Sequence, residues 1–125
     1  MNSAIKKILL PGLVVTGFLG VSFAGAKPAS ADILLDIGIG AASNVVTGEI
    51  TGNGSAAGNA VGGAAAGAAV SATHNESSDT VPSLAQDAAV GAAANVVVGE
   101  ITGNGSTLGN AASGAATGAI INLLK

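Results

Sequence analysis

The octet Gly48-Glu49-Ile50-Thr51-Gly52-Asn53-Gly54-Ser55 returns unchanged as Gly99-Glu100-Ile101-Thr102-Gly103-Asn104-Gly105-Ser106. When residues 38–70 are aligned with residues 89–121, 22 of the 33 positions are identical, which is too many for compositional bias alone. The chain is therefore a tandem duplication, and we expect its architecture to be one structural unit used twice.

The end of each octet predicts a turn followed by the start of a helix. Gly-Asn-Gly favours a turn because glycine and asparagine both tolerate a positive φ. The serine that follows, Ser55 or Ser106, stands where an N-cap would open the next helix. The predicted turn residues are Gly52, Asn53, Gly103 and Asn104.

The segments on both sides of the turn are typical of helices. Asp32 can cap a helix that continues from Ile33 to Val46, and the Ala- and Gly-rich stretch from Ala56 to about Ala72 predicts the next one. The second repeat carries equivalent segments. We therefore predict a mainly α fold of two tandem αα-hairpins, with four helices in all.

Small or polar residues recur at four-residue spacing along the first helix of each repeat. Such a stripe either lets another helix approach closely, with hydrogen bonds from Asp and Asn, or forms a solvated face. The sequence leaves both interpretations open. The stripe consists of Asp36, Gly40, Asn44 and Gly48 in the first repeat and of Asp87, Gly91, Asn95 and Gly99 in the second.

The second helix of each repeat carries glycines on two adjacent ridges. This small-xxx-small pattern, often called a glycine zipper, lets helices pack at short range because side chains are absent along the ridge. We predict that these ridges are the interaction surface. The predicted helix-packing residues are Gly54, Gly58, Gly62, Gly63 and Gly67 in the first repeat and Gly105, Gly109, Ser113, Gly114 and Gly118 in the second.

A β-rich fold is the alternative. Residues 45–51 and 96–102 are rich in β-branched side chains, have the length of strands and end at Gly-Asn-Gly. Repeats of this kind could stack as strands or assemble into a cross-β fibre. We favour helices because the Ala-rich tracts are better helix formers and because two copies are few for a solenoid.

The N-terminus is typical of a bacterial secretory signal peptide. Lys6 and Lys7 precede an uncharged apolar run over residues 8–26, and Ala29-Ser30-Ala31 supplies the small residues of a cleavage site. We expect cleavage after Ala31 and a secreted or cell-envelope protein; an uncleaved membrane anchor is the alternative. The predicted organisation is a signal peptide at 1–31, repeat 1 at 32–72, a polar linker at 73–82 and repeat 2 at 83–125.

Charge and composition after residue 31 exclude several classes of function. This part of the chain has one lysine, no arginine, no aromatic residue and seven acidic residues, a formal side-chain charge of −6. Nucleic-acid binding requires a basic surface, so we expect no nucleic-acid partner. With no cysteine and 16 glycines in this part, a monomer would be marginally stable. We therefore expect a homo-oligomer or association with a membrane or another cell-envelope component.

The sequence offers little chemistry for catalysis. Glu49 and Glu100 could form a carboxylate pair if the hairpins pack about a twofold axis, but exposed turn glutamates are expected. His74 lies in the predicted linker with Glu76 and Asp79, where solvation is expected and metal binding would be weak. The glycine-rich turn lacks the spacing of a nucleotide-binding loop. We predict no enzymatic activity, cofactor, metal or small-molecule substrate.

Three functions fit these observations. The first is a secreted structural or interaction protein that associates with itself or with a cell-envelope partner through small-residue helix faces. The second is a membrane-active secreted protein of the bacteriocin or toxin kind, although the negative charge and missing aromatic residues do not favour it. The third is a surface fibre or extracellular matrix component based on the β-rich alternative.

Overall fold

The described part of the chain is helical. The structure is a computed structural model that describes residues 28–74 and 80–125, and these residues form four α-helices and no β-strand. The predicted helical class is confirmed. The helices are α1 (Pro28–Thr51), α2 (Ala56–Thr73), α3 (Thr80–Thr102) and α4 (Thr107–Leu124). Most of the predicted signal peptide, residues 1–27, and residues 75–79 of the predicted linker lie outside the described residues.

The turn between α1 and α2 depends on glycine. Gly52 has φ 66° and Gly54 has φ 74°, a left-handed conformation that glycine adopts without a steric penalty, whereas Asn53 between them does not have a positive φ. Ser55 then caps α2, because its side chain accepts a hydrogen bond from the Gly58 amide. The second repeat has the same φ signs and the equivalent cap, in which the Ser106 side chain accepts a hydrogen bond from the Gly109 amide.

The helices are longer than the sequence predicted. α1 begins at Pro28, so Asp32 lies inside the helix and the expectation that it caps α1 is wrong. At the linker, α2 continues to Thr73 and α3 begins at Thr80, so both helices extend into the predicted range 73–82.

The two β-branched runs are helical, so the strand alternative is wrong for residues 45–51 and 96–102. Threonine hydroxyls in α1 bond to carbonyls one turn earlier within the helix: Thr47 to Ser43 O and Thr51 to Thr47 O, each at 2.8 Å. In α3, the Thr102 hydroxyl likewise donates a hydrogen bond to Val98 O at 2.7 Å. These bonds satisfy the hydroxyls locally, and the helix therefore tolerates the β-branched residues.

Within each repeat the two helices run antiparallel and their backbones touch. A Cβ added at Gly63 would lie 2.1 Å from Gly40 O, and one added at Gly67 would lie 2.1 Å from Asp36 O. Contacts of this kind leave no space for a side chain. The second repeat has the equivalent close contacts, between Gly114 and Gly91 O and between Gly118 and Asp87 O.

The apolar core is small. Only Val45, Val70 and Ile121 among the buried apolar residues of the described chain are larger than alanine. The remainder of the interior consists of glycine backbone and polar side chains, so large aliphatic side chains contribute little to the burial that holds the helices together. The complete set of buried apolar residues in the described ranges is Ala41, Val45, Ala60, Ala66, Val70 and Ile121.

Alanine substitutions at two glycines of α1 test this packing. Gly38 has nothing within 4 Å of an added Cβ, so Gly38→Ala should stabilise the protein by about 0.5–1 kcal/mol through helix propensity. Gly40→Ala should destabilise it by about 1–3 kcal/mol, because the methyl group would overlap Gly63 O. Thermal unfolding followed by far-UV circular dichroism measures both; equal shifts of the midpoint for the two variants would contradict the packing.

Candidate functional site

The centre of the structure is a pair of buried asparagines, one from each repeat. Asn44 is 0% exposed and Asn95 2% exposed. Asn44 Nδ2 donates to Asn95 Oδ1 at 2.8 Å, and Asn95 Nδ2 lies 3.3 Å from Asn44 Oδ1. Each carboxamide also donates to a helix carbonyl of its own repeat: Asn44 to Asn59 O at 3.0 Å and Asn95 to Asn110 O at 2.7 Å. Both side chains are thus satisfied without water.

At the turn end, each octet binds the N-cap serine of the other repeat. Asn104 Oδ1 accepts hydrogen bonds from Ser55 N at 2.7 Å and from Ser55 Oγ at 2.9 Å. Asn53 Oδ1 accepts from Ser106 N at 2.7 Å and from Ser106 Oγ at 3.0 Å. The two sets of bonds differ only by exchange of the repeats, which indicates an approximate twofold axis between the repeats.

A second layer of asparagine bonds joins the turns to the helices. Asn104 Nδ2 donates to Asn59 Oδ1 at 2.9 Å, and Asn59 Nδ2 donates to Asn53 O at 2.8 Å. The exchanged bonds are Asn53 Nδ2 to Asn110 Oδ1 at 3.0 Å and Asn110 Nδ2 to Asn104 O at 2.8 Å. Together with the central pair, these four side chains form a set of six that we call the asparagine cluster: Asn44, Asn53, Asn59, Asn95, Asn104 and Asn110.

Glycines make room for the asparagine cluster. A Cβ at Gly58 would lie 2.2 Å from Asn104 Cγ, and one at Gly62 would lie 2.1 Å from Asn95 Oδ1. One glycine ridge of α2 therefore faces the other repeat. The adjacent ridge, with Gly63 and Gly67, packs against α1 of the same repeat. In α4, Gly109 faces Asn53, Gly114 and Gly118 face α3, and Ser113 Oγ lies 3.0 Å from Asn95 Nδ2.

The structure thus places the predicted helix-packing residues between the helices of one chain. Gly54 and Gly105 also face asparagines across the repeats: a Cβ at Gly54 would lie 2.5 Å from Asn104 Nδ2, and one at Gly105 2.6 Å from Asn53 Nδ2. Gly52 and Gly103 have nothing within 4 Å of an added Cβ, so their role is the positive φ of the turn. The stripe on the first helix of each repeat is likewise buried, so its solvated interpretation is wrong.

The opposite end of the structure has two buried carboxylates, and each contacts a basic side chain that directly follows the second helix of the other repeat. Asp36 is 3% exposed, and Lys125 Nζ lies 3.0 Å from its Oδ2 at angles that do not make a hydrogen bond. Asp87 is fully buried, and His74 Nδ1 lies 2.5 Å from its Oδ2. Asn122 Nδ2 also donates to Asp87 Oδ2 at 2.9 Å.

His74 is the clearest correction among the candidate residues. The sequence placed it in a solvated linker, but its side chain is only 10% exposed and contacts Asp87. It directly follows α2, as Lys125 follows α4, because the two positions are 51 residues apart. The repeat offset applied to the last residue of the chain would have identified this equivalence.

The two octet glutamates take no part in the buried network. Glu49 and Glu100 are both exposed, as expected. The Thr107 hydroxyl donates to Glu100 Oε1 at the start of α4, an interaction that satisfies a carboxylate at the surface. Among the described residues, no group of three or more His, Asp or Glu side chains could hold a metal ion.

The outer surface is aliphatic. Large apolar side chains are exposed on all four helices, including Ile50 at 80% and Leu108 at 81%. We call the following set the outer aliphatic surface: Ile33, Leu35, Val46, Ile50, Val61, Val81, Val97, Ile101, Leu108, Ile120, Leu123 and Leu124. With carboxamides inside and aliphatic side chains outside, the polarity is the reverse of that in an ordinary water-soluble domain.

An open depression of about 550 Å³ lies between the two turns. Its lining comes from both octets and from the first turns of α4, and it contains no charged side chain. The depression therefore offers hydroxyl and carboxamide groups but no acid, base or nucleophile activated by one. The lining residues are Thr51, Gly52, Asn53, Gly54, Gly105, Ser106, Leu108, Gly109 and Ala112.

Comparison with known proteins gives no assignment: no protein-family model, no curated protein and no solved structure matches this chain.

A double-mutant cycle on the central pair tests the asparagine cluster. Asn44→Ala should cost about 1–3 kcal/mol for each buried partner left unpaired. Because Asn44 and Asn95 share their hydrogen bonds, the double variant should cost about 0.5–3 kcal/mol less than the sum of the single variants. Asn122 donates to Asp87 at the opposite end of the structure and therefore gives the control.

Free energies of unfolding from chemical denaturation provide the measurement. The control pair Asn44→Ala and Asn122→Ala should be additive within about 0.5 kcal/mol. Additivity of the central pair as well would mean that Asn44 and Asn95 do not interact.

Proposed function

We propose that the protein is a secreted, non-enzymatic interaction protein of the cell envelope, and that it acts by placing its outer aliphatic surface in lipid. The observation that carries the proposal is the reversed polarity, with a carboxamide interior and an aliphatic exterior. The small-residue ridges are occupied inside the chain, so the proposed association uses the outer surface instead of those ridges.

The distribution of exposed apolar side chains favours lipid over a single protein partner. A closed dimer would cover one side of the molecule, whereas the outer aliphatic surface includes residues of all four helices. Lipid covers all sides at once. Moving a half-exposed Val, Ile or Leu side chain out of water contributes about 1 kcal/mol, and this gain applies around the whole circumference.

The dimensions support the same proposal. On α1, Asp32 and Glu49 are the exposed charged residues, and Asp36 between them is buried. The 17-residue separation of Asp32 and Glu49 corresponds to about 26 Å of helix, close to the hydrocarbon thickness of a bilayer, about 30 Å. By length and composition the segments Asp32–Thr51 and Val81–Thr102 are apolar enough to cross a membrane, as are signal sequences and some core helices of soluble proteins. Only 33% and 22% of the residues in the 18-residue apolar windows of these segments are buried, whereas a core helix is mostly buried.

The internal contacts suit a low-dielectric environment. Helices satisfy their own backbone groups, as any lipid-exposed segment must. Within lipid, helices associate through close contacts between small residues and through interhelical hydrogen bonds, because no hydrophobic gain remains between apolar surfaces. We interpret each repeat as an αα-hairpin with glycine-zipper packing, and the asparagine cluster as the polar contact that joins the hairpins.

Membrane activity of the bacteriocin or toxin kind is a second candidate, and the same outer aliphatic surface favours it. The described residues contain one lysine and no arginine, so attraction to anionic headgroups would contribute little. The apolar surface would therefore drive insertion. Leakage of an entrapped dye from vesicles would distinguish this activity from stable residence in the bilayer. We do not propose the β-rich fibre, because the described residues are helical.

A pair of charge insertions tests the proposal in the chain from Asp32 onward, which lacks the predicted signal peptide. Ala42→Glu with Ala93→Glu places charge at equivalent exposed positions, ten residues after Asp32 and seven before Glu49 in repeat 1. Flotation with phosphatidylcholine vesicles should show at least a tenfold loss of the bound fraction, because a mid-bilayer acid costs about 2.5–3.5 kcal/mol.

The matched control is Ile50→Glu with Ile101→Glu, which adds the same charge about two turns later, next to the octet glutamates. This variant should bind vesicles nearly as well as the unchanged chain, since the turn end is already charged. A chain that stays in the aqueous phase as a monomer, or equal losses for both variants, would contradict the proposal.

A further inference from the structure

We propose that the surface joining the two repeats also binds a second copy of this chain, so that copies associate by exchanging repeats. The partner is thus another molecule with the same octet, and repeat 1 of one copy pairs with repeat 2 of the next. This inference concerns contacts between proteins and does not depend on where the outer aliphatic surface resides.

The two sides of the interface are made of the same residues. Repeat 1 presents Asn53 and Ser55, and repeat 2 presents Asn104 and Ser106, with each asparagine bonded to the opposite serine at 2.7–3.0 Å. A repeat from a second copy offers an identical surface. Exchange of identical elements between protomers preserves every contact of the closed form, which makes it a low-cost route to association.

The two carboxylate contacts at the other end also join the repeats. Asp36 of repeat 1 pairs with Lys125 of repeat 2, and Asp87 of repeat 2 pairs with His74, which ends α2. Both pairs form equally well when the two repeats come from different copies. Both buried carboxylates therefore keep their partners in the exchanged state, whereas loss of a partner would be costly.

Two differences between the repeats affect which repeats pair: the first disfavours both kinds of like pair, and the second disfavours a pair of two second repeats. Ser43 Oγ lies 2.7 Å from Thr117 Oγ1, and the equivalent positions are Ala94 and Ala66, which cannot form this bond. A pair of two first repeats or two second repeats loses it.

The second difference lies beside the central pair. Gly62 leaves the space that Asn95 Oδ1 occupies, since an added Cβ would lie 2.1 Å from that oxygen. The equivalent position in repeat 2 is Ser113, which has a side chain. In a pair of two second repeats, Ser113 of one copy would take the place of Gly62 and face Asn95 Oδ1 of the other copy. Such a pair would fit less well, because serine has a side chain where glycine has none. Exchange between copies keeps the favoured pairing and thus specifies the partner.

Disulfide trapping tests the exchange, because the 125-residue sequence contains no cysteine. Ser43→Cys is made in one preparation and Thr117→Cys in another, and the two are unfolded, mixed, refolded together in a mild detergent and oxidised. Exchange should give a disulfide-linked dimer of one copy of each variant, seen on a non-reducing gel and increasing with protein concentration. The readout is independent of vesicle binding.

Two controls make the result decisive. Ala42→Cys, the exposed neighbour of Ser43, mixed with Thr117→Cys measures random collision, and the Ser43 mixture should exceed it at least tenfold. Both substitutions in one chain should give an internal disulfide, which establishes that the two positions meet. A Ser43 mixture no richer in dimer than the Ala42 mixture would overturn the proposal, as would failure of the internal disulfide to form.

Discussion

The structure depends on the reciprocal carboxamide contact between Asn44 and Asn95. Two buried amides without partners would each cost several kcal/mol in an apolar environment, but here every strong donor and acceptor of the pair is used. The requirement is directional, so it fixes how the repeats face each other. Gly62 leaves the space that Asn95 Oδ1 occupies, and the cross-repeat serine bonds join the same two repeats at the turn end.

Close packing at the glycines explains why so many aliphatic side chains are exposed. Because Gly40 and Gly63 bring two helix backbones into contact, no space remains between the helices for large side chains. Apart from Val45, Val70 and Ile121, the larger aliphatic side chains of the described residues are therefore partly or fully exposed. An arrangement of this kind gains little from the hydrophobic effect in water and relies on close contact and hydrogen bonds, which are the forces that join helices in a bilayer.

The local features of the fold were predictable from the sequence, and the long-range contacts were not. Gly52 and Ser55 act on their immediate neighbours, so the turn and the cap could be inferred directly. Asn44 appeared only as part of a small or polar stripe, because the identity of its partner depends on the packing of two repeats. His74 was misplaced for the same reason: its role follows from where α2 ends relative to α3, which residue types near it do not specify.

The most direct test of the reversed polarity is hydrogen exchange of side-chain carboxamides, measured by NMR on the folded protein in vesicles or detergent. Asn44 and Asn95 are buried, whereas Gln86 is exposed and provides an internal reference for a carboxamide that water reaches. The account predicts that the side-chain amides of Asn44 and Asn95 exchange at least a hundredfold more slowly than that of Gln86. Equal exchange rates for the three side chains would contradict it.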